Sequence, residues 1–115
     1  MIGIEQVQAI LAQYAKHGWS LRRVLLSAAA EEKLSASVFG NADIVSADLD
    51  ALWFSRAASE GREAWELRYL SVTPFALVEV FEAEDEEEVR EEVRCEMETR
   101  LAELASKFGN KKVNR

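Results

Sequence analysis

Hydrophobic residues recur at helical spacing at the two ends of the chain. The first stripe predicts a helix over residues 4–17 and consists of Ile4, Val7, Leu11 and Tyr14. Gly18 follows it as a left-handed stop, with Trp19 placed to fold back on the last turn. The second stripe predicts a long helix over residues 85–108, ended by Gly109, and consists of Val89, Val93, Met97, Leu101, Leu104 and Phe108.

The middle of the chain has the patterns of strands. Four runs are predicted as strands: residues 20–27, 50–57, 64–71 and 75–81. The last three form a meander, with a hairpin connection at residues 58–63 and Pro74 in the turn before the final strand. Two remaining stretches predict a short helix over residues 28–39 and a connector or short strand over residues 41–47.

These elements predict an α+β domain with the order α-β-α-β-β-β-α. Its sheet is an antiparallel meander of about four strands, packed by the N-terminal helix and the long C-terminal helix. With 115 residues the chain has room for one core. We therefore expect a single domain over residues 1–109 and a basic C-terminal tail over residues 110–115.

The hairpin predicts which side chains share a face of the sheet. A tight turn at Glu60-Gly61 places Trp53 opposite Arg68 and Ser55 opposite Glu66. The other face then carries the core residues Leu52, Phe54, Trp65, Leu67 and Tyr69. The group Trp53, Ser55, Glu66 and Arg68 has two interpretations: cross-strand pairs that stabilise the sheet, or a recognition surface, because Trp and Arg are enriched in interface hot spots.

Apolar residues on both faces of the predicted strands favour the second interpretation. Residues 21–26 and 75–81 have hydrophobic side chains at odd and even positions alike. Such a sheet has to be covered twice, by helices on each face or by a second copy of the chain. The leading hypothesis is therefore a non-enzymatic, homodimeric protein-interaction domain that binds through the surface around Trp53 and Arg68.

Two alternatives remain open. In the first, a cavity between sheet and helices binds or converts a small ligand, with Arg56 or Arg68 holding an anionic group. The aromatic lining of that cavity would be Phe54, Trp65, Tyr69 and Phe81. In the second, the chain is a structural subunit whose acidic helix docks on a basic partner.

Charge narrows the choice of partners. The formal net charge is −7, and residues 82–98 alone contain ten acidic residues and two arginines. An acidic body repels phosphate backbones, which argues against a nucleic-acid partner. The chain has no apolar run long enough to span a membrane and no signal-peptide pattern. A single cysteine, Cys95, fits the reducing cytoplasm.

Candidate catalytic chemistry is sparse. His17 is the only histidine and lies at the predicted end of a helix, where the helix dipole favours a positively charged imidazole. Cys95 lies within a charged helix rather than in a Gly-rich turn. Nucleotide, hydrolase and zinc motifs are missing from the sequence. We therefore expect no catalytic residues, metal or cofactor, and lean against an enzyme.

Overall fold

A computed structural model describes residues 3–71 and 75–113, with side chains described up to residue 107. The helices and strands follow one another in a single order. They are α1 (Ile4–Lys16), β1 (Ser20–Leu26), α2 (Ala28–Lys33), a 3-10 turn (Ala36–Phe39), β2 (Asp43–Ser46), β3 (Ala51–Ala57), a 3-10 turn (Ser59–Gly61), β4 (Glu63–Tyr69), β5 (Ala76–Phe81) and α3 (Glu87–Val113). The α+β class is thus confirmed.

The sheet has five strands and is mixed, in the order β2-β1-β3-β4-β5. The predicted meander is present as β3, β4 and β5, which pair antiparallel. The prediction of about four antiparallel strands is wrong at β2, which pairs parallel with β1. The reason is the long connection between them: α2 and the 3-10 turn return the chain to the starting edge, as a parallel crossover requires.

The register of the β3–β4 hairpin differs from the prediction by one residue. Trp53 lies opposite Leu67 and Ser55 opposite Trp65. The connection is a five-residue loop rather than a tight turn, closed by a 2.8 Å hydrogen bond from the Ala58 amide to the Arg62 carbonyl. Two successive residues in it, Glu60 and Gly61, have φ of 61° and 78°. Because a one-residue slip exchanges the faces of a strand, every predicted face assignment in β4 is reversed relative to β3.

Helices cover both faces of the sheet. Under α1 and α2 lies a buried apolar core of Val7, Val24, Leu26, Ala30, Leu34, Phe39, Leu52, Phe54 and Leu70. Under α3 lies a second core of Leu25, Leu49, Ala51, Trp53, Trp65, Leu67, Phe81, Met97 and Leu101. The chain therefore supplies both covers that a sheet with two apolar faces needs, and a second copy is not required for that purpose.

The predicted helix ends have different outcomes. The stop after α1 is confirmed: Gly18 has φ of 85°, and the Trp19 amide reaches back to the Tyr14 carbonyl at 3.0 Å. The predicted end at Gly109 is wrong, because α3 continues to Val113. A glycine inside a helix costs only about 1 kcal/mol relative to alanine and does not force a stop.

The C-terminal tail that we predicted over residues 110–115 falls partly on this helix. Residues 110–113 belong to α3, and residues 114–115 lie outside the described residues. The predicted turn before β5 also lies outside them, at residues 72–74.

Candidate functional site

The four residues of the predicted interaction surface do not share a face. Trp53 and Ser55 lie under α3, with 0% and 3% of their surface exposed. The Trp53 indole nitrogen donates a 2.7 Å hydrogen bond to the Glu98 carboxylate. Both side chains are therefore parts of the sheet–helix interface within the chain.

Glu66 and Arg68 lie on the opposite face, beside α1. The Glu66 carboxylate accepts a hydrogen bond from the Tyr14 hydroxyl, and the Tyr14 ring stacks on Phe54 at a centroid distance of 3.9 Å. Burial of the phenol, together with the hydrogen bond and charge of Glu66, raises the pKa of Tyr14 above its ordinary value. Arg68 donates to the Tyr69 carbonyl.

The predicted pocket residues are also divided between the two faces. Phe54 is buried in the α1 core, and Arg56 donates to the His17 carbonyl at 2.9 Å, where it caps the end of α1. Tyr69 packs against Phe75, partly buried at the edge of the α3 core. Only Trp65 and Phe81 come together with basic side chains, and the arginines that meet them are not the predicted Arg56 and Arg68.

A bulge in β1 places two successive arginines on the α3 side. The register between β1 and β3 shifts between Leu21 and Arg23, so that Arg22 is an extra residue without a partner of its own. The Arg22 guanidinium reaches the Ser55 hydroxyl at 3.2 Å. The Arg23 guanidinium reaches Glu91 of α3 at 3.2 Å. In a regular strand these neighbours would point to opposite faces.

The two arginines open onto a cleft of about 620 Å³ between the sheet and the first turns of α3. We call it the arginine cleft. Its lining is predominantly polar, and its size falls in the range of small-molecule sites. It is lined by Leu21, Arg22, Arg23, Phe39, Asn41, Ala42, Asp43, Glu63, Trp65, Glu87, Arg90 and Arg94.

Arg94 is the most unusual residue of the arginine cleft, because it is a charged side chain with only 1% of its surface exposed. Its guanidinium carbon lies 4.4 Å from the centroid of the Trp65 ring. Its Nε donates to Glu91 at 2.9 Å, and its Nη2 reaches Glu87. Its buried Nη1 has no hydrogen-bond partner among the described residues.

The other three arginines of the cleft differ in how many hydrogen bonds and ion pairs they form within the chain. Arg90 is held by the Glu63 carboxylate and by the Asp85 and Glu82 carbonyls, and Arg23 is held by Glu91 and Glu98. Arg22 contacts no carboxylate within the described chain. Its guanidinium carbon lies 5.3 Å from the centroid of the Trp65 ring. The guanidinium groups of Arg22 and Arg94 thus both lie near the Trp65 indole.

Glu91 links the two sides of the cleft, since its carboxylate accepts from both Arg23 and Arg94. Burial alone would raise its pKa, but the hydrogen bonds and charges of the two arginines outweigh burial and lower it. The pKa of Arg23 is raised, because Glu91 and Glu98 overcome the opposing effect of burial. Glu91 and Arg23 therefore both stay charged at neutral pH.

The described residues offer little for bond-making chemistry. Burial, and then the nearby Glu91 and Glu98 carboxylates, raise the pKa of the exposed Cys95 thiol, which opposes the thiolate form. His17 is exposed and pairs with Gln13 at 3.1 Å. Among the described residues, no group of three or more His, Cys, Asp and Glu side chains could hold a metal ion.

Sequence reasoning missed the arginine cleft although α3 contains a signal for it. The buried face of this helix runs through Arg94, Met97 and Leu101, whereas Val89, the first residue of the predicted stripe, is 50% exposed. A stripe at spacings of three and four can also be started at Arg90 and Arg94. The bulge at Arg22 had no comparable signal, because any pairing of β1 with β3 was unknown.

Comparisons with protein-family models, with curated proteins and with solved structures find no match. No helix within the described residues is long and apolar enough to cross a membrane.

Proposed function

We propose that this domain binds a small anionic ligand, bearing a carboxylate or phosphate group, in the arginine cleft. The observation that carries the proposal is the buried Arg94 Nη1, which has no hydrogen-bond partner among the described residues. This function is the ligand-binding alternative that the sequence raised, with Arg22 and Arg94 in place of Arg56 or Arg68.

The energetics favour an anion at this place. A buried donor without a partner costs about 1–3 kcal/mol, and more when it is charged. An oxyanion next to Arg94 Nη1 removes that cost through a charge-assisted hydrogen bond. Guanidinium groups match carboxylate and phosphate oxygens geometrically, so both kinds of anion fit this chemistry.

Arg22 gives the ligand a second point of attachment. It lies over the same Trp65 ring as Arg94, and among the described residues its polar partner is the Ser55 hydroxyl. An anion bound near both guanidinium groups is attracted by the positive charge of each. The Trp65 ring, 7% exposed, forms a rigid wall beside them.

Binding without catalysis is the simplest interpretation of the cleft. The groups that face it are arginines, which donate hydrogen bonds and accept none, and carboxylates such as Glu63 that are held in ion pairs. A nucleophile paired with a base is not found among the described side chains of its lining. We place the protein in the cytoplasm, which the single unpaired Cys95 supports.

Titration with inorganic phosphate, pyrophosphate and citrate at low ionic strength tests the proposal. Tryptophan fluorescence and chemical shifts of the Trp65 indole report on the cleft. We expect saturable binding by at least one anion, weakened about tenfold or more in Arg22→Ala. Added salt weakens the binding through screening.

Arg56→Ala is the matched control, because Arg56 also stacks on a tryptophan, at 4.6 Å from the centroid of Trp19, but lies outside the cleft. Binding unchanged in Arg56→Ala and lost in Arg22→Ala supports the site. Equal losses in both variants indicate non-specific attraction and contradict it, as does the absence of saturation with all three anions.

Two other functions remain candidates, and they differ in the structural support for them. A protein-interaction domain is favoured by exposed valines on β5, which are considered below. Docking of the acidic helix on a basic partner has less support, because three of its acids, Glu87, Glu91 and Glu98, already pair with arginines of the same chain.

A further inference from the structure

The edge strand β5 presents an apolar row that the helices leave uncovered. Val78 and Val80 are 56% and 46% exposed, the first being the most exposed large hydrophobic residue among those described. They lie opposite Glu66 and Ala64 of β4, on the face that carries α1. Tyr14 of α1 contacts Glu66 of β4, whereas Val78 and Val80 on the neighbouring β5 are exposed to solvent.

The backbone of the same residues is unpaired on the outer side of β5. The Tyr69 amide donates to the Phe75 carbonyl at 3.1 Å, which identifies 69–75 as a hydrogen-bonded pair. Because bonded and non-bonded pairs alternate in an antiparallel ladder, Leu77 and Glu79 bond to β4 while Ala76, Val78 and Val80 direct their N–H and C=O groups outward. We call these three residues the open β5 edge.

We propose that the open β5 edge is a homodimer interface, in which β5 pairs antiparallel with β5 of a second copy about a two-fold axis through Val78. The two sheets then join into one continuous sheet of ten strands. This interface is separate from the arginine cleft and does not depend on ligand binding there.

The pattern of β5 is what selects a second copy as the partner. Pairing centred on Val78 places Ala76 opposite Val80 of the other copy, so that small and β-branched side chains form one apolar row on the α1 face. On the opposite face Glu79 meets Leu77 of the other copy rather than a second Glu79. The strand is therefore complementary to itself in shape and brings no like charges directly opposite each other.

The other edge of the sheet is a weaker candidate. β2 has four residues, against six in β5, and pairs parallel with β1. Its apolar residues Ile44 and Val45 are neighbours in sequence and alternate between faces, so they form no row. Short edge strands are also less prone to pairing than long ones.

Site-directed disulfide formation tests the predicted geometry directly. In a Cys95→Ser background, Val78→Cys should cross-link two copies under mild oxidation, because residues of a hydrogen-bonded antiparallel pair lie about 5.5 Å apart at Cα, within the disulfide range. Val80→Cys is the matched control, since the two copies of residue 80 would be roughly 13 Å apart. Cross-linking of Val78→Cys alone supports the interface, and equal cross-linking of both or of neither overturns it.

Sedimentation of the unmodified protein supplies the independent measurement. We expect a dimer for the original chain, association weakened at least about tenfold by Val78→Lys, and no change in association in Val45→Lys. A monomer at all concentrations, or a dimer that responds to Val45→Lys instead, contradicts the proposal. Circular dichroism of each variant checks that the fold is kept, which we expect because both positions are exposed.

Discussion

Under α3 the sheet face has two halves, which differ in what fills the space between the helix and the strands. One half is filled by apolar side chains, among them Trp53, Leu67, Met97 and Leu101. The other half is filled by the Trp65 and Phe81 rings with the guanidinium groups of the arginine cleft stacked over them.

Side chains cover the sheet in both halves, but the free energy of burying them differs. An apolar side chain is stabilised as soon as its surface is removed from water. A buried guanidinium is complete only when each N–H has an acceptor, and Arg94 lacks one at Nη1 among the described residues. We therefore expect the apolar half to carry the stability and the charged half to carry the binding.

The largest effect is expected in the apolar half. Trp53→Ala removes a fully buried ring and its hydrogen bond to Glu98, and should lower the free energy of unfolding by about 3–5 kcal/mol. Urea denaturation measures the loss, and the volume-conserving Met97→Leu should cost less than about 1.5 kcal/mol. A fully stable Trp53→Ala protein would show that this half does not carry the stability.

A smaller effect on stability, with a large effect on binding, is expected in the charged half. Arg94→Met keeps a similar apolar volume over Trp65 and leaves Glu87 and Glu91 in contact with water, so no buried charge is stranded. The free energy of unfolding should change by about 1–2 kcal/mol or less, while anion binding should be abolished. Destabilisation as large as that of Trp53→Ala would mean that Arg94 is mainly structural.

The smallest effect is expected from the acid titration of Glu91. Its pKa is lower in the folded chain than the ordinary value of 4.5, so its contribution to stability is present above pH 4.5 and is lost as the pH falls through the folded value. Glu91→Gln should be slightly less stable at pH 7 and should lose less stability on acidification below pH 4.5. Parallel stability–pH curves for Glu91→Gln and the original chain would contradict this role, and Glu92→Gln serves as an exposed control.

The elements were largely predictable, because each depends on local spacing. The stripe of α1, its stop at Gly18 and the β3–β5 meander follow from periodicity and turn chemistry. The register between β3 and β4 was not predictable, because it depends on whether the loop between these strands has an even or an odd number of residues. With Glu60 and Gly61 both at positive φ, the loop takes five residues and Trp53 moves from the expected surface into the α3 core.

The arginine cleft depends on contacts that are distant in sequence. Arg22 and Arg94 both come near Trp65 because β1 and β4 lie on either side of β3, beneath the start of α3. The sequence showed arginines in both places but not that they would share one indole. The sequence could therefore suggest arginine as an anion-binding group, but it could not place Arg22 and Arg94 beside Trp65.

The arginine cleft depends on the number of residues in β1 and not only on their identity, because the bulge adds one residue. Arg22 and Arg23 lie on the same side of the sheet because β1 has one extra residue between Leu21 and Arg23, whose partners in β3 are adjacent. Deleting either arginine would leave a basic residue next to Leu21 but restore regular alternation to the strand. In related chains, then, the length of this segment would be as informative as the identity of its residues, and an alignment that closes the one-residue gap elsewhere would conceal the site.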